Sequence, residues 1–261
     1  MMQTNDDFVP AEDFFLTWCN SDAVTSSLME AISFVTPLLE GFIVSSVAEG
    51  LRTGHAQPAS EARYRAFMRE EASHSWVHRQ FNTSLLGYLG LPPPGLKQVR
   101  SLFGFARRHL SLGNRLQVSA ALEHFAAVLS KSYLDCEKGW TFNAASTRAL
   151  FAQHAHEELA HRSVVFDMWL ETGISGRFSR NVTMLGILAG SLAYALVAVP
   201  WITHRKTGLH PGTTLFMLAR FLIRLRINSR VFTQLRELFL FAHHGYHPDQ
   251  LVGETVAGTI Q

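Results

Sequence analysis

Apolar side chains recur at helical spacing through most of the chain, and few stretches show the alternation typical of a strand. Interruptions in this pattern set the ends of the predicted helices. Ser60 is a suitable N-cap, a Leu-Pro-Pro-Pro-Gly run at 91–95 separates two helices, and Gly173 ends another. Pro37 lies inside the first helix and predicts a kink or a restart there. The predicted helices cover residues 22–52, 60–87, 96–111, 114–137, 144–172, 182–202 and 212–243.

Two carboxylates stand alone in apolar parts of these helices. Neither Glu40 nor Glu123 has another Asp, Glu, Lys or Arg within seven positions on either side. A carboxylate in such surroundings is expected to be buried, and a buried carboxylate must be paired, protonated or bound to a metal. The alternative to a metal is a buried ion pair, although few basic residues lie nearby in sequence.

Two Glu-x-x-His pairs occur on long predicted helices, Glu71 with His74 and Glu158 with His161. Because a helix turns by about 100° per residue, this spacing places a carboxylate and an imidazole side by side. His154 lies one turn before Glu158 and faces the same side. One Glu from each of two helices plus Glu-x-x-His from each of two others is the ligand arrangement of four-helix di-metal proteins. The predicted metal ligands are Glu40, Glu71, His74, Glu123, His154, Glu158 and His161.

Other polar residues near these motifs have alternative roles. Glu70 and Glu157 each lie four residues before a histidine, so we expect them to be exposed or to support a ligand. His78 follows His74 by one turn, which leaves open a role as ligand, acid–base group or support; support is favoured. We keep His78 and Glu157 as candidate catalytic residues. Asp167 is a candidate partner for the ring N–H of a ligand histidine.

Composition favours one domain over residues 1–261, with the di-metal bundle in 22–173 and additional helices in 178–245. A formal charge of +2 and the lack of a nucleic-acid motif argue against a nucleic-acid partner. Cys19 and Cys136 form no Cys-x-x-Cys pair, and the N-terminus lacks the pattern of a signal peptide. We therefore expect a reducing, cytoplasmic location.

The last third of the chain contains two segments with features of membrane-associated helices. Residues 182–202 are almost wholly apolar and long enough to span a bilayer, and basic residues flank both ends. The helix over 212–243 mixes apolar residues with five arginines, a pattern suited to an anionic membrane surface. Either helix can instead pack on the bundle. Association with the inner membrane through 182–202 therefore stands beside a purely cytoplasmic location.

Several segments together resemble a bacterial family of predicted metal-dependent hydrolases. They are 67–74 with His78 and Asn82, 121–125 and 154–167, and the resemblance extends over most of the chain. More broadly, the pattern is similar to the ferritin-like superfamily of di-iron carboxylate proteins. The His-x-x-x-Glu-x-x-His motif resembles the arylamine N-oxygenases, such as p-aminobenzoate N-oxygenase. Their third histidine ligates one iron, which implies the same role for His154.

We therefore expect an all-α protein with a ferritin-like four-helix bundle, a di-metal site and extra C-terminal helices. Two iron ions are the preferred cofactors, with manganese or a mixed iron–manganese pair as alternatives. The leading hypothesis is that the centre activates O2 to oxidise a small, lipophilic substrate, with an external electron donor. The second is a hydrolase that uses metal-activated water, and the third is iron handling or peroxide detoxification. A homodimer is also compatible with the sequence.

Overall fold

The computed structural model describes residues 16–135, 140–174, 178–227, 230–243 and 245–251, with the backbone alone over 221–227 and 230–232. Within these residues the regular structure is helical, apart from an isolated bridge between Cys19 and Phe142. The all-α class is therefore confirmed for the described chain. The α-helices are α1 (Ala23–Arg52), α2 (Glu61–Leu89), α3 (Leu96–His109), α4 (Leu112–Leu134), α5 (Ala145–His161), α6 (Val164–Glu171), α7 (Arg180–Thr207), α8 (Pro211–Ile227) and α9 (Arg230–Leu240), and a 3₁₀ turn follows at Pro248–Gln250.

Local capping explains several helix ends. The Asp22 carboxylate accepts a hydrogen bond from the Thr25 N–H at 2.6 Å and so satisfies a free donor at the start of α1. Gly90 ends α2 with φ 76°, a left-handed conformation that glycine adopts without a Cβ clash. Ser60 precedes α2 as predicted, but its hydroxyl donates to Glu171 and not to the helix backbone.

The single helix predicted over 144–172 is wrong, because a turn at Arg162 and Ser163 divides it into α5 and α6. The guanidinium of Arg162 donates to the carbonyl oxygen of Leu159 at 2.7 Å. In a continuous helix, that carbonyl would accept from the N–H of Ser163 four residues later. The break therefore follows directly after His161, the last predicted ligand.

The helix predicted over 212–243 corresponds to α8 and α9, and residues 228–229 between them lie outside the described chain. Helix α9 ends at Leu240 and not at 243. Helix α4 ends at Leu134 and not at 137. Cys136 lies outside the described residues.

Helix α1 continues through Pro37 without the restart that the sequence allowed. Proline has no backbone N–H, so the carbonyl oxygen of Ser33, four residues earlier, lacks its helical donor. The side-chain amide of Asn82 on α2 donates to this carbonyl at 2.8 Å. The proline thus creates an anchor point between α1 and α2.

The four helices that carry predicted ligands enclose a common space. Helix α1 contacts α2 and α4, and α5 contacts the same two helices. The apolar core is divided into two clusters along their length. Phe34 of α1 and Phe81 of α2 belong to one cluster, whereas Phe42 and Phe67 belong to the other. The predicted ligands of α1 and α2 lie between these positions, so a polar layer separates the two clusters on these helices. On α4, the cluster that contains Phe42 continues on both sides of Glu123.

Helix α7 packs along α1, and a buried ion pair holds its C-terminal end. The Nζ atom of Lys206 lies 2.8 and 2.9 Å from the two carboxylate oxygens of Glu30, and both side chains are fully buried. The indole N–H of Trp18 donates to the same carboxylate at 2.7 Å. By length and composition α1 and α7 could each cross a membrane, but α1 carries Glu40 into the core.

Candidate metal centre

Four helices supply the predicted ligands, and their side chains point into the polar layer. Helix α1 contributes one carboxylate, α2 a Glu-x-x-His pair, α4 one carboxylate, and α5 a His-x-x-x-Glu-x-x-His motif. All are buried except His154, which is half-buried. The side chains concerned are Glu40, Glu71, His74, Glu123, His154, Glu158 and His161.

Among the described residues, six of these seven fall into two groups, in each of which the ligand atoms lie within 4.8 Å of one another. The first group is Glu40, His74, His154 and Glu158. The second group is Glu71, His74 and His161. Because both contain His74, the two groups are adjacent. Nε2 of His74 lies against Glu157, so only Nδ1 is free to bind one of two neighbouring metal ions.

Glu123 belongs to neither group, although it faces the same space. Burial raises the pKa of its carboxyl well above the ordinary value, and the charges of Glu158, Glu71 and Glu40 raise it further. Its Oε2 atom is buried and has no hydrogen-bond partner. The role of Glu123 as a ligand stays a prediction.

His74 and His161 each lie within hydrogen-bonding distance of a carboxylate on the solvent side of the site. The Nε2 atom of His74 lies 2.5 Å from Glu157, and that of His161 lies 2.6 Å from Glu70. Burial alone would lower the pKa of His74, but its contacts with Glu71 and Glu157 raise it to about 10. Glu70 and Glu157 thus occupy the supporting positions expected for them, at the partly exposed edge of the site.

A model of the family described as "Predicted metal-dependent hydrolase" matches residues 5–251 of the chain. The chain belongs to this family. A comparison with curated proteins gave no match, and a comparison with solved structures gave none. Membership in the predicted metal-dependent hydrolases agrees with the His/Glu cluster, whereas the ferritin-like relationship stays a prediction.

The donor set in this family member suits a metal ion. Glu40 Oε1 and Glu71 Oε2 are buried without a hydrogen-bond partner among the described residues. Such orphaned carboxylate oxygens are costly unless a cation satisfies them. Burial, together with the charge of Glu71, raises the pKa of Glu158 to about 8, so these carboxyls crowd together without enough compensating charge. A metal ion bound by these donors would supply that charge.

His78 lies beside the two groups, and its protonation follows from its neighbours. The amide nitrogen of Asn82 donates to the Ser33 carbonyl, so its oxygen accepts from the Ser33 hydroxyl at 2.8 Å. That hydroxyl has no second proton, so it accepts from Nδ1 of His78, also at 2.8 Å. Nε2 of His78 therefore carries a lone pair, and it is buried without a partner. The ring lies 4.9 Å from that of His154, centroid to centroid.

The prediction that Asp167 supports a ligand histidine is wrong. Its carboxylate pairs with His247 at 2.8 Å and with Arg63 at 2.6 Å, which ties the C-terminal segment to α2. Sequence reasoning also missed Ser75, whose hydroxyl donates to Glu40. An ordinary serine on a helix gives no signal of such a contact.

Proposed function

We propose that the protein is a metal-dependent hydrolase that acts on a small molecule at a two-metal centre between α1, α2, α4 and α5. The observation that carries this proposal is the pair of adjacent donor groups joined by His74. Membership in the predicted metal-dependent hydrolases supports the reaction class. The pairwise contacts of the four helices support a ferritin-like bundle as part of the same proposal.

We assign one metal position to the first group and the other to Glu71, His161 and Glu123, because His74 has only Nδ1 free and can bind a single metal ion. A divalent metal bound there supplies a Lewis acid and lowers the pKa of a water molecule. The carboxylates neutralise its charge, and the buried apolar walls keep the local dielectric low, which strengthens each of these interactions.

Substrate reaches the centre between α2 and α5 in this proposal, because the exposed side chains of the site lie there. The side chains of Glu70 and Glu157 are 54% and 35% exposed. Burial raises the pKa of Glu157, but hydrogen bonds from Gln153 and His74 outweigh it and lower the pKa below the ordinary value. Glu157 is therefore ionised at neutral pH and available at the rim as a proton acceptor, and its lowered pKa makes it a weaker base than an ordinary glutamate.

Oxidation of a small molecule with O2 is the second candidate function. It is favoured by the donor set, since two Glu-x-x-His pairs on facing helices with carboxylates from two others are the di-iron and di-manganese arrangement. This function needs an electron donor, and a lipophilic substrate would fit the apolar surroundings.

Metal analysis followed by two activity assays separates these functions. Protein from its native host is analysed for bound metals, and the metal-free protein is then loaded with zinc, manganese or ferrous iron. Hydrolysis of model carboxylic and phosphate esters that depends on the metal supports the proposed function. Consumption of O2 by the ferrous protein, with no ester cleavage by any metal form, would replace it with the second candidate.

A further inference from the structure

Charge is distributed very unevenly between two parts of this chain. Residues 172–236 contain nine Lys and Arg and no Asp or Glu. The remainder therefore has 14 of the 23 basic residues and all 21 acidic ones, which gives it a formal charge of −7 against +9 for the segment. This segment includes α7 and α8, so one layer of the fold is cationic and the rest is anionic.

The same layer has an uncovered apolar face. On α7, Val182, Leu185, Leu192 and Leu196 are 44–60% exposed, and the spacing of these positions puts them on one side of the helix. Residues 181–203 contain no charged side chain. On the neighbouring α8, Phe216 is 68% exposed.

Helix α7 cannot leave the bundle without breaking the Glu30–Lys206 ion pair, since both side chains are fully buried. Its other side is buried through Met184 and Ile202. The apolar face is therefore presented lengthwise, over a helix of 28 residues or about 42 Å. A membrane-spanning orientation of α7 alone would require its buried side to separate from α1 and this ion pair to break.

We propose that the exposed face of α7 and α8 lies flat on an anionic lipid bilayer. The apolar side chains enter the interface between headgroups and acyl chains, and the cationic segment is attracted to anionic headgroups. Without Lys206, which Glu30 neutralises in the core, eight of the nine basic residues of this segment remain to complement such a surface, whereas a second copy of the chain would bring the same positive charge.

Vesicle co-sedimentation of the full chain tests the proposal. We expect binding to vesicles of phosphatidylcholine mixed with phosphatidylglycerol, weaker binding at high salt, and little binding to phosphatidylcholine alone. The variant Leu192→Glu/Leu196→Glu should lose at least about tenfold in binding. Leu102→Glu on α3 is the matched control, because Leu102 is 62% exposed outside this layer, and its binding should not change.

Three results would overturn the proposal: equal binding by the double variant and the wild type, resistance of the vesicle-bound protein to a carbonate wash, and a wild-type dimer that the double variant converts to monomers. The second would indicate a membrane-spanning helix, and the third a second copy on this face. Circular dichroism checks folding of the variants, and Leu185→Ser replaces the double variant if that variant unfolds.

Two buried histidine nitrogens beside the donor groups, Nδ1 of His154 and Nε2 of His78, have no hydrogen-bond partner among the described residues. A second inference from them rests on the metal centre of the proposed function. His154 Nε2 faces Glu158 Oε1 at 3.3 Å, whereas its Nδ1 is buried without a partner. If Nε2 binds a metal, Nδ1 must carry the proton and needs an acceptor, as metal-bound histidines usually have. The neighbouring ring of His78 presents a buried lone pair that lacks a donor.

The geometry points to a hydrogen bond from His154 Nδ1 to His78 Nε2 in the metal-loaded protein. His78 is then a positioning residue that acts through His154, and Ser33 and Asn82 hold it in the accepting tautomer. This assignment accounts for both unpartnered nitrogens at once. It also gives a role to Asn82. This residue binds the Ser33 carbonyl oxygen that Pro37 leaves without a helical donor, and it accepts from the Ser33 hydroxyl that holds His78.

Nuclear magnetic resonance of nitrogen-15 histidine in protein loaded with cadmium-113 tests this role. We expect cadmium coupling to His154 but not to His78, and a proton on His78 Nδ1. His78→Phe should weaken cadmium binding about 10- to 100-fold. His78→Gln, which keeps an acceptor, should restore part of it, and His124→Gln should have no effect, because His124 bonds to a backbone carbonyl elsewhere.

Cadmium coupling to His78, or a proton on its Nε2, would overturn the positioning role and leave the metal centre intact. Equal affinity of the Phe and Gln variants would do the same. Failure of the protein to bind cadmium at all would overturn both this role and the proposed function.

Discussion

The buried ion pair between Glu30 and Lys206 offers the most direct test of how α7 is held. Replacing Lys206 with methionine keeps most of the side-chain volume but leaves a carboxylate with no exposed surface. Removing one partner of such a pair costs about 3–5 kcal/mol, because the remaining charge keeps its desolvation penalty. Total stabilities are about 5–15 kcal/mol, so Lys206→Met should lose about a fifth or more of the free energy of unfolding.

Urea denaturation followed by circular dichroism measures this loss. Burial raises the pKa of Glu30, so the carboxyl can escape part of the penalty by binding a proton. A raised folded-state pKa means that stability falls as pH rises, and the loss in Lys206→Met should therefore be larger at pH 8 than at pH 5. In Glu30→Gln/Lys206→Met the charge is removed, and the amide oxygen still accepts from Trp18. The cost should then fall to about 1 kcal/mol.

A loss below about 1 kcal/mol in Lys206→Met would refute the reasoning, since that is the range of solvent-exposed ion pairs. The pair would then be open to water, and α7 would not be fixed to α1 as described. A double variant as unstable as the single one would also contradict it, because the cost would then come from packing and not from charge.

Three further outcomes test the metal centre. Glu123→Gln should lower the bound metal per chain in elemental analysis, and an unchanged ratio would remove Glu123 from the ligands. Glu157→Gln should reduce ester hydrolysis about 100-fold or more while metal content stays constant; loss of the metal instead would make Glu157 a structural support. In the metal-free protein, burial and the charge of Glu71 raise the pKa of Glu158 from 4.5 to about 8. The folded state then keeps a proton that the unfolded chain releases, so stability should fall with rising pH between these values, by about 1.4 kcal/mol per pH unit. Metal should displace that proton and flatten the profile, and a flat profile without metal would contradict the shift.

Helical periodicity and isolated charges were enough to bring most of the candidate site together. The i, i+3 spacing placed Glu71 beside His74 in one donor group, and it put Glu158 and His161 on one face of α5, where they belong to different groups. Glu40 was found by its lack of charged neighbours in sequence, which follows from the cost of burying a carboxylate. The first property depends on residues within one helical turn and the second on the residues around a single carboxylate. Both can therefore be read directly from the sequence.

Contacts between distant residues were not predictable in this way. His247 binds Asp167 across 80 positions, and Ser33 binds His78 across 45. Nothing in the helical pattern of either segment specifies its partner. The break after α5 was missed for a different reason, since it involves a hydrogen bond from Arg162 to its own helix that periodicity does not report.

The polar layer between the two apolar clusters has a consequence for folding. A continuous core makes a domain unfold as one unit, whereas here carboxylates and imidazoles separate the clusters on α1 and α2, and Trp140 and Phe142 are the partly buried apolar residues that pack against both. Without metal, the two halves are expected to open with separate free energies in amide hydrogen exchange. Metal binds donors from several helices and couples them into one cooperative unit. Metal supply would then control how much of this protein is folded, as well as how much is active.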